Sequence, residues 1–80
     1  MKALVVDDSD INLKLASRYL LQYNFSVTTA KSGKECVDLV KMNEYDIIFL
    51  DHMMPGMDGV ETFKKIKAQN SINSTKPILV

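Results

Sequence analysis

The first limits come from what the chain lacks. Its 80 residues include one cysteine, Cys36, so no disulfide forms within the chain and no zinc ribbon can be assembled. A lone thiol fits a reducing compartment, and a cytoplasmic location is expected. With three glycines and two prolines, no low-complexity tract or internal domain linker interrupts the chain. Charge of one sign is also missing, because ten Lys and Arg face ten Asp and Glu and neither sign runs in a block. That balance excludes a polybasic arm or an acidic tail, so no nucleic-acid partner is expected. The longest apolar runs, residues 3–6 (ALVV) and 47–50 (IIFL), are far short of the roughly 20 residues that span a bilayer. No membrane association is expected, and Asp7 and Asp8 cut the first run too early for a secretory leader.

What is present reads as one small α/β domain over residues 1–80. Residues 3–6 form a strand buried on both faces. Between Ile11 and Gln22, Leu13, Ala16 and Leu20 recur at helical spacing, joined by Leu15, Tyr19 and Leu21. Phe25, Val27 and Thr29 then alternate with Ser26, Thr28 and Ala30 as a more exposed strand at a sheet edge. Ser32 and Glu35 spell a capping box for a second helix, whose apolar face is Cys36, Val37, Leu39 and Val40. Residues 47–50 form the third strand. Pro55, Gly56 and Gly59 mark a turn before a third helix bearing Val60, Phe63 and Ile66 and capped by Asp58. A fourth strand starts after Pro77. Strands alternating with helices imply a parallel sheet with helices on both faces.

Both fully apolar strands end in acid, the first at Asp7 and Asp8 and the third at Asp51. In open parallel sheets ligands sit beyond the carboxyl ends of the strands, where strand order reverses. If the first and third strands are neighbours, three carboxylates converge and repel one another. A hard divalent cation with oxygen ligands relieves that repulsion, so the residues predict a Mg²⁺ site. Singly, the same acids would serve as a strand terminator, a helix cap and a turn residue.

The run VVDDS at residues 5–9 and the run DHMMPGMDG at residues 51–59 resemble the receiver domain of two-component response regulators. The likeness follows element order along all 80 residues, and the second run is highly specific. It implies a flavodoxin-like (CheY-like) fold, with Asp51 as phosphoryl acceptor and Asp7 and Asp8 as the acidic pair holding Mg²⁺. Met53 would supply a backbone carbonyl to the metal, and the phosphoryl donor would be a histidine kinase or a phosphotransfer protein. Residues 7–16 (DDSDINLKLA) are similar to receivers joined to hybrid sensor kinases. A carboxylate suits this role, since it attacks phosphorus once a metal neutralises the transferring group. The domain would accept a phosphoryl group without turning over a separate substrate.

Receivers have five strand and helix pairs, and this sequence reaches the fourth strand. The switch Ser or Thr and the Lys that the family carries beyond that point are not in these residues, so impaired phosphorylation is expected. Lys76 lies before the fourth strand, at the wrong end to replace the missing Lys. The open fourth-strand edge is expected to drive self-association into a homo-oligomer, which sedimentation at micromolar concentration checks. Two other functions fit less of the sequence. A metal-dependent phosphatase would place a second Asp two residues after the nucleophile, where Met53 stands. An assembly half-domain would keep the acidic pocket only as a vestige. Outside these motifs, ordinary roles are expected: His52 facing solvent, Cys36 in the core, Met54 and Met57 packing in their loop, and Asn12 facing water near Asp10.

Overall fold

Among the described residues, seven elements follow one another in alternation: β1 (Lys2–Val6), α1 (Asp10–Leu21), β2 (Ser26–Ala30), α2 (Gly33–Met42), β3 (Ile47–Leu50), α3 (Gly59–Ala68) and β4 (Ile78–Leu79). The structure is a computed structural model that describes residues 1–51, 59–68 and 78–79. The expected caps on Asp58 and Pro77, the turn at Pro55 and Gly56, and His52, Met53, Met54, Met57 and Lys76 lie outside the described residues.

The four strands form one parallel sheet in the order β2-β1-β3-β4, the order of flavodoxin-like sheets. β1 is therefore central. Residues 3–6 are buried because helices cover both sides, which explains an unbroken apolar run where a half-exposed strand would alternate. β2 lies at an edge and is mostly exposed, as its alternating polar sequence anticipates.

Side chains leave successive strand residues on opposite faces, and the core divides accordingly. Leu4 and Val6 of β1 and Ile48 and Leu50 of β3 point to the face covered by α2 and α3, where they meet Cys36, Val40, Tyr45 and Ile66. Ala3 and Val5, with Ile47 and Phe49, point to the face covered by α1, against Leu13, Ala16 and Leu20. Burial pushes the Cys36 thiol up to about 12 and raises Tyr45, whose hydrogen bond with Thr28 acts in the opposite sense.

Local chemistry fixes the helix ends. Ser9 begins α1 in extended conformation, and its Oγ accepts from the Asn12 N–H at 3.4 Å. At the far end Asn24 adopts φ 64°, a left-handed value that asparagine tolerates. The Phe25 N–H then donates to Leu20 O and the Asn24 N–H to Leu21 O, closing the helix as a Schellman motif while Phe25 packs beside Leu20. In α2 the Ser32 Oγ accepts from the Glu35 N–H at 3.1 Å, as the capping box requires. The reciprocal bond differs from expectation: Glu35 accepts from the Lys31 N–H at 3.2 Å, one residue earlier than Ser32.

One sequence expectation needs correction. Leu15, Tyr19 and Leu21 do not join the buried face of α1, and each is about 60% exposed. Only Leu13 and Leu20, with Ala16 partly covered, lie on the strip that meets the sheet. At about 100° per residue the other three rotate away from it.

Candidate metal centre

The site is built by the register of two strands. Val6 pairs with Leu50, so β1 and β3 end level with each other. The next residue on each strand is an aspartate. The Asp51 N–H donates to Val6 O at 2.8 Å, and the Asp7 N–H donates to Ala30 O at 3.0 Å. These two bonds hold both strand exits at the crevice where the chain, having placed β2 on one side of β1, returns with β3 on the other. Such a reversal point is where open parallel sheets bind ligands.

Asp7, Asp8 and Asp51 each offer one carboxylate oxygen to a cluster in which all three atoms lie within 4.8 Å of one another. Asp7 and Asp51 are half-buried and Asp8 is exposed. One Asp7 oxygen accepts from the Ser9 N–H at 2.9 Å, so this acid also orients the entry to α1. Neither Asp7 nor Asp8 forms an ion pair among the described residues. Two unit charges 4.8 Å apart repel by about 3.5 kcal/mol at an effective dielectric near 20, and by about 1 kcal/mol in water.

This donor set fits Mg²⁺ and does not suit a soft or nitrogen-seeking metal, since every ligand atom is a carboxylate oxygen. Mg²⁺ is usually held by one or two carboxylates with water completing its shell, and three carboxylate oxygens within 4.8 Å of one another are enough to supply them. The Met53 carbonyl, the fourth ligand expected, lies outside the described residues.

Asp10 is near the cluster in sequence but turned away from it. Its carboxylate meets Lys31 Nζ at 2.7 Å across the gap between α1 and the turn after β2. The hydrogen bond and charge of Lys31 hold Asp10 below the usual carboxylate range, and Asp10 raises Lys31 in return. Sequence reasoning missed this pair and the Ser9 cap. The serine was legible in DDSD, since it stands three residues before Asn12. The ion pair joins residues 21 positions apart and leaves no local signal.

A groove of about 290 Å³ opens beside the acids, lined by Val5, Ala16, Tyr19, Leu20 and Phe49 together with Asp7 and Asp51. It is mostly apolar and lies on the α1 face of the sheet.

A parallel sheet ordered 2-1-3-4 with acids at the ends of its two central strands is a flavodoxin-like sheet with an acidic crevice at its reversal point. Residues 3–80 match the family described as the response regulator receiver domain, and the chain belongs to that family of two-component signalling domains. It is similar to Histidine kinase 3 of Arabidopsis thaliana, 40% identical over 67 residues that make up 82% of this chain and 6% of that protein. It is also similar to hybrid signal transduction histidine kinase E of Dictyostelium discoideum, 36% identical over 95% of this chain and 4% of that protein. Among solved structures, the chemotaxis protein CheY4 of Vibrio cholerae superposes with a TM-score of 0.89 at 32% identity, over 96% of this chain and 63% of that one. A receiver domain from Methanoculleus marisnigri JR1 gives 0.89 at 32% identity, over 99% and 65%. The chain thus spans a few per cent of these kinases and just under two thirds of these solved receivers. No helix among the described residues is long and apolar enough to cross a membrane.

Proposed function

We propose that Asp51 is the phosphoryl acceptor of a phosphorelay, and that Asp7 and Asp8 hold Mg²⁺ beside it with the Met53 carbonyl completing the protein ligands. The observation that carries this reading is the convergence of three carboxylates within 4.8 Å at the ends of two adjacent parallel strands, in a chain of the receiver family. The donor is a phosphohistidine of a histidine kinase or phosphotransfer protein, consistent with relatives named as histidine kinases.

An Asp51 carboxylate oxygen attacks the phosphorus. The O–P bond forms as the N–P bond breaks, and the imidazole leaves with the electron pair. When bound, Mg²⁺ neutralises charge on the transferring group and lowers the repulsion among the three acids. Asp7 is steadied for metal binding by the Ser9 N–H. Asp51 is held by its own N–H on Val6 O, which sets its carbonyl and side chain at the crevice edge. The product is an aspartyl-phosphate on the chain itself, so the domain acts as acceptor and not as a turnover enzyme. The buried thiol of Cys36 suits the reducing cytoplasm, where we place this chemistry.

Acetyl phosphate with Mg²⁺, read by intact mass, tests the proposal. The expected result is slow and incomplete addition of one phosphoryl group to the 80-residue chain, none after chelation, and none on Asp51→Ala. Incorporation that persists in Asp51→Ala would overturn the assignment of the acceptor. A folded chain that takes up nothing and shows no Asp51-dependent Mg²⁺ binding would favour the assembly half-domain.

A further inference from the structure

A second surface, away from the acidic crevice, lies where α1 overhangs the free edge of β2. A groove of about 460 Å³ is lined there by Leu13 and Leu21, by Thr29, and by the charged residues Asp10, Lys14, Arg18 and Lys31. Three cations face one carboxylate in a chain whose net charge is zero. Asp10 is committed to Lys31 at 2.7 Å. Lys14 and Arg18 form no ion pair among the described residues. They stand four apart on one helix, where like charges repel.

The strand beneath supplies the second observation. The Ser26 N–H donates to Met1 O at 2.8 Å and Ala30 O accepts from the Asp7 N–H at 3.0 Å, so Ser26, Thr28 and Ala30 turn their main-chain groups toward β1. In a parallel ladder the alternate residues face the other way. The N–H and C=O of Val27 and Thr29 therefore point outward, along an edge where no strand pairs with β2 among the described residues. An open edge with outward donors and acceptors is a template for an added strand.

We propose that this edge and groove form a docking site for an extended acidic peptide segment of a partner protein, which adds to the sheet beside β2. Its main chain pairs with Val27 and Thr29, and its alternate carboxylates lie under Lys14 and Arg18. The paired main-chain groups select a peptide over a nucleic acid, because a phosphate backbone has no matching N–H and C=O pattern. A few cations also fall short of the several phosphate contacts that give nucleic acid useful affinity. The site is independent of phosphoryl acceptance at Asp51.

Fluorescence anisotropy with a short labelled peptide alternating glutamate and valine, added to the 80-residue chain, tests the proposal. Saturable binding is expected, weakening as salt rises. In ¹⁵N-resolved hydrogen exchange the amides of Val27 and Thr29 should gain protection. The charge-reversed pair Lys14→Glu with Arg18→Glu should weaken binding by at least about tenfold, and Thr29→Pro, which removes one outward N–H from an edge strand, should also weaken it. A lysine-valine peptide should not bind, an arm that holds even if a variant fails to fold. The proposal is overturned if the lysine peptide or a single-stranded oligonucleotide binds as well, if both folded variants bind like the parent, if the two amides gain no protection, or if millimolar glutamate peptide does not bind.

Discussion

The two faces of the sheet are made by the same strands, yet they are finished differently. On the α2 and α3 face Leu4, Ile48, Cys36 and Ile66 are each 0% exposed, and Val6 and Val40 each 1%. On the α1 face Ala3 and Val5 are buried beneath the helix, while Phe25, Val27, Ile47 and Phe49 stay only partly covered. Among the described residues the closed face, under α2 and α3, carries most of the fully buried apolar side chains, and both grooves lie on the more open α1 face. The acids sit at the seam between the faces, where the strands stop.

The largest expected effects belong to the closed face. Ile48→Ala removes a fully buried side chain and should destabilise by about 2–5 kcal/mol in urea denaturation, a large part of the roughly 4–12 kcal/mol that an 80-residue domain has. Phe49→Ala, one residue on and pointing to the open face, should lose less, about 1–2 kcal/mol, since its ring is only partly buried. Equal losses at the two positions would mean that the faces are equally packed and would break the distinction.

Cys36 gives the closed face a pH signature. Its thiol is raised from 9.0 to about 12 by burial. A raised value favours the protonated form in the fold, so the associated stability is intact below pH 9 and is lost as pH rises toward 12. The loss amounts to about 1.4 kcal/mol per pH unit across that window. Denaturation midpoints measured between pH 8 and pH 11 should fall in the parent and fall less in Cys36→Ala. The folded thiol should also resist iodoacetamide at pH 8, because thiolate is the reacting form.

The faces also differ in how much of them the sequence made legible. Two fully apolar runs, each ended by acid, identified β1, β3 and the acidic crevice, because central parallel strands need apolar residues on both sides. The edge position of β2 was legible in its alternation. Less could be read on the open face. Leu15, Tyr19 and Leu21 share the composition of a core stripe, and their exposure shows that the buried strip of α1 is narrower than its apolar composition suggests. The Asp10 and Lys31 pair, and the outward turn of Thr29, follow from how α1 crosses the sheet, which no local pattern encodes. Glu35 gave the correct motif and the wrong partner, since its side chain has the length to pass Ser32 and reach Lys31.

At the seam, Asp51→Asn removes one of three mutually repelling charges. Added Mg²⁺ should raise the midpoint of the parent and leave the variant nearly unchanged, because only a site that binds the folded state gains stability from its ligand. An equal response in both would locate the binding elsewhere than Asp51 and loosen the tie between the acids and the two strand ends.

The smallest effect is expected on the open face, from Asp10→Asn. Asp10 is held below the ordinary carboxylate range by Lys31, so its contribution is present above that range and disappears as pH falls through the lowered value. Lys31 is raised by Asp10, so its share is complete below the ordinary lysine value and is lost as pH climbs through the raised one. Thermal midpoints of parent and variant should therefore differ by a small, constant amount around neutrality, converge at both extremes, and converge again in high salt, because both groups are exposed. The same substitution releases Lys31 into the groove beneath α1, where it joins Lys14 and Arg18. Binding of the glutamate peptide should then tighten as stability slips, a reversal that a purely structural role for Asp10 would not produce.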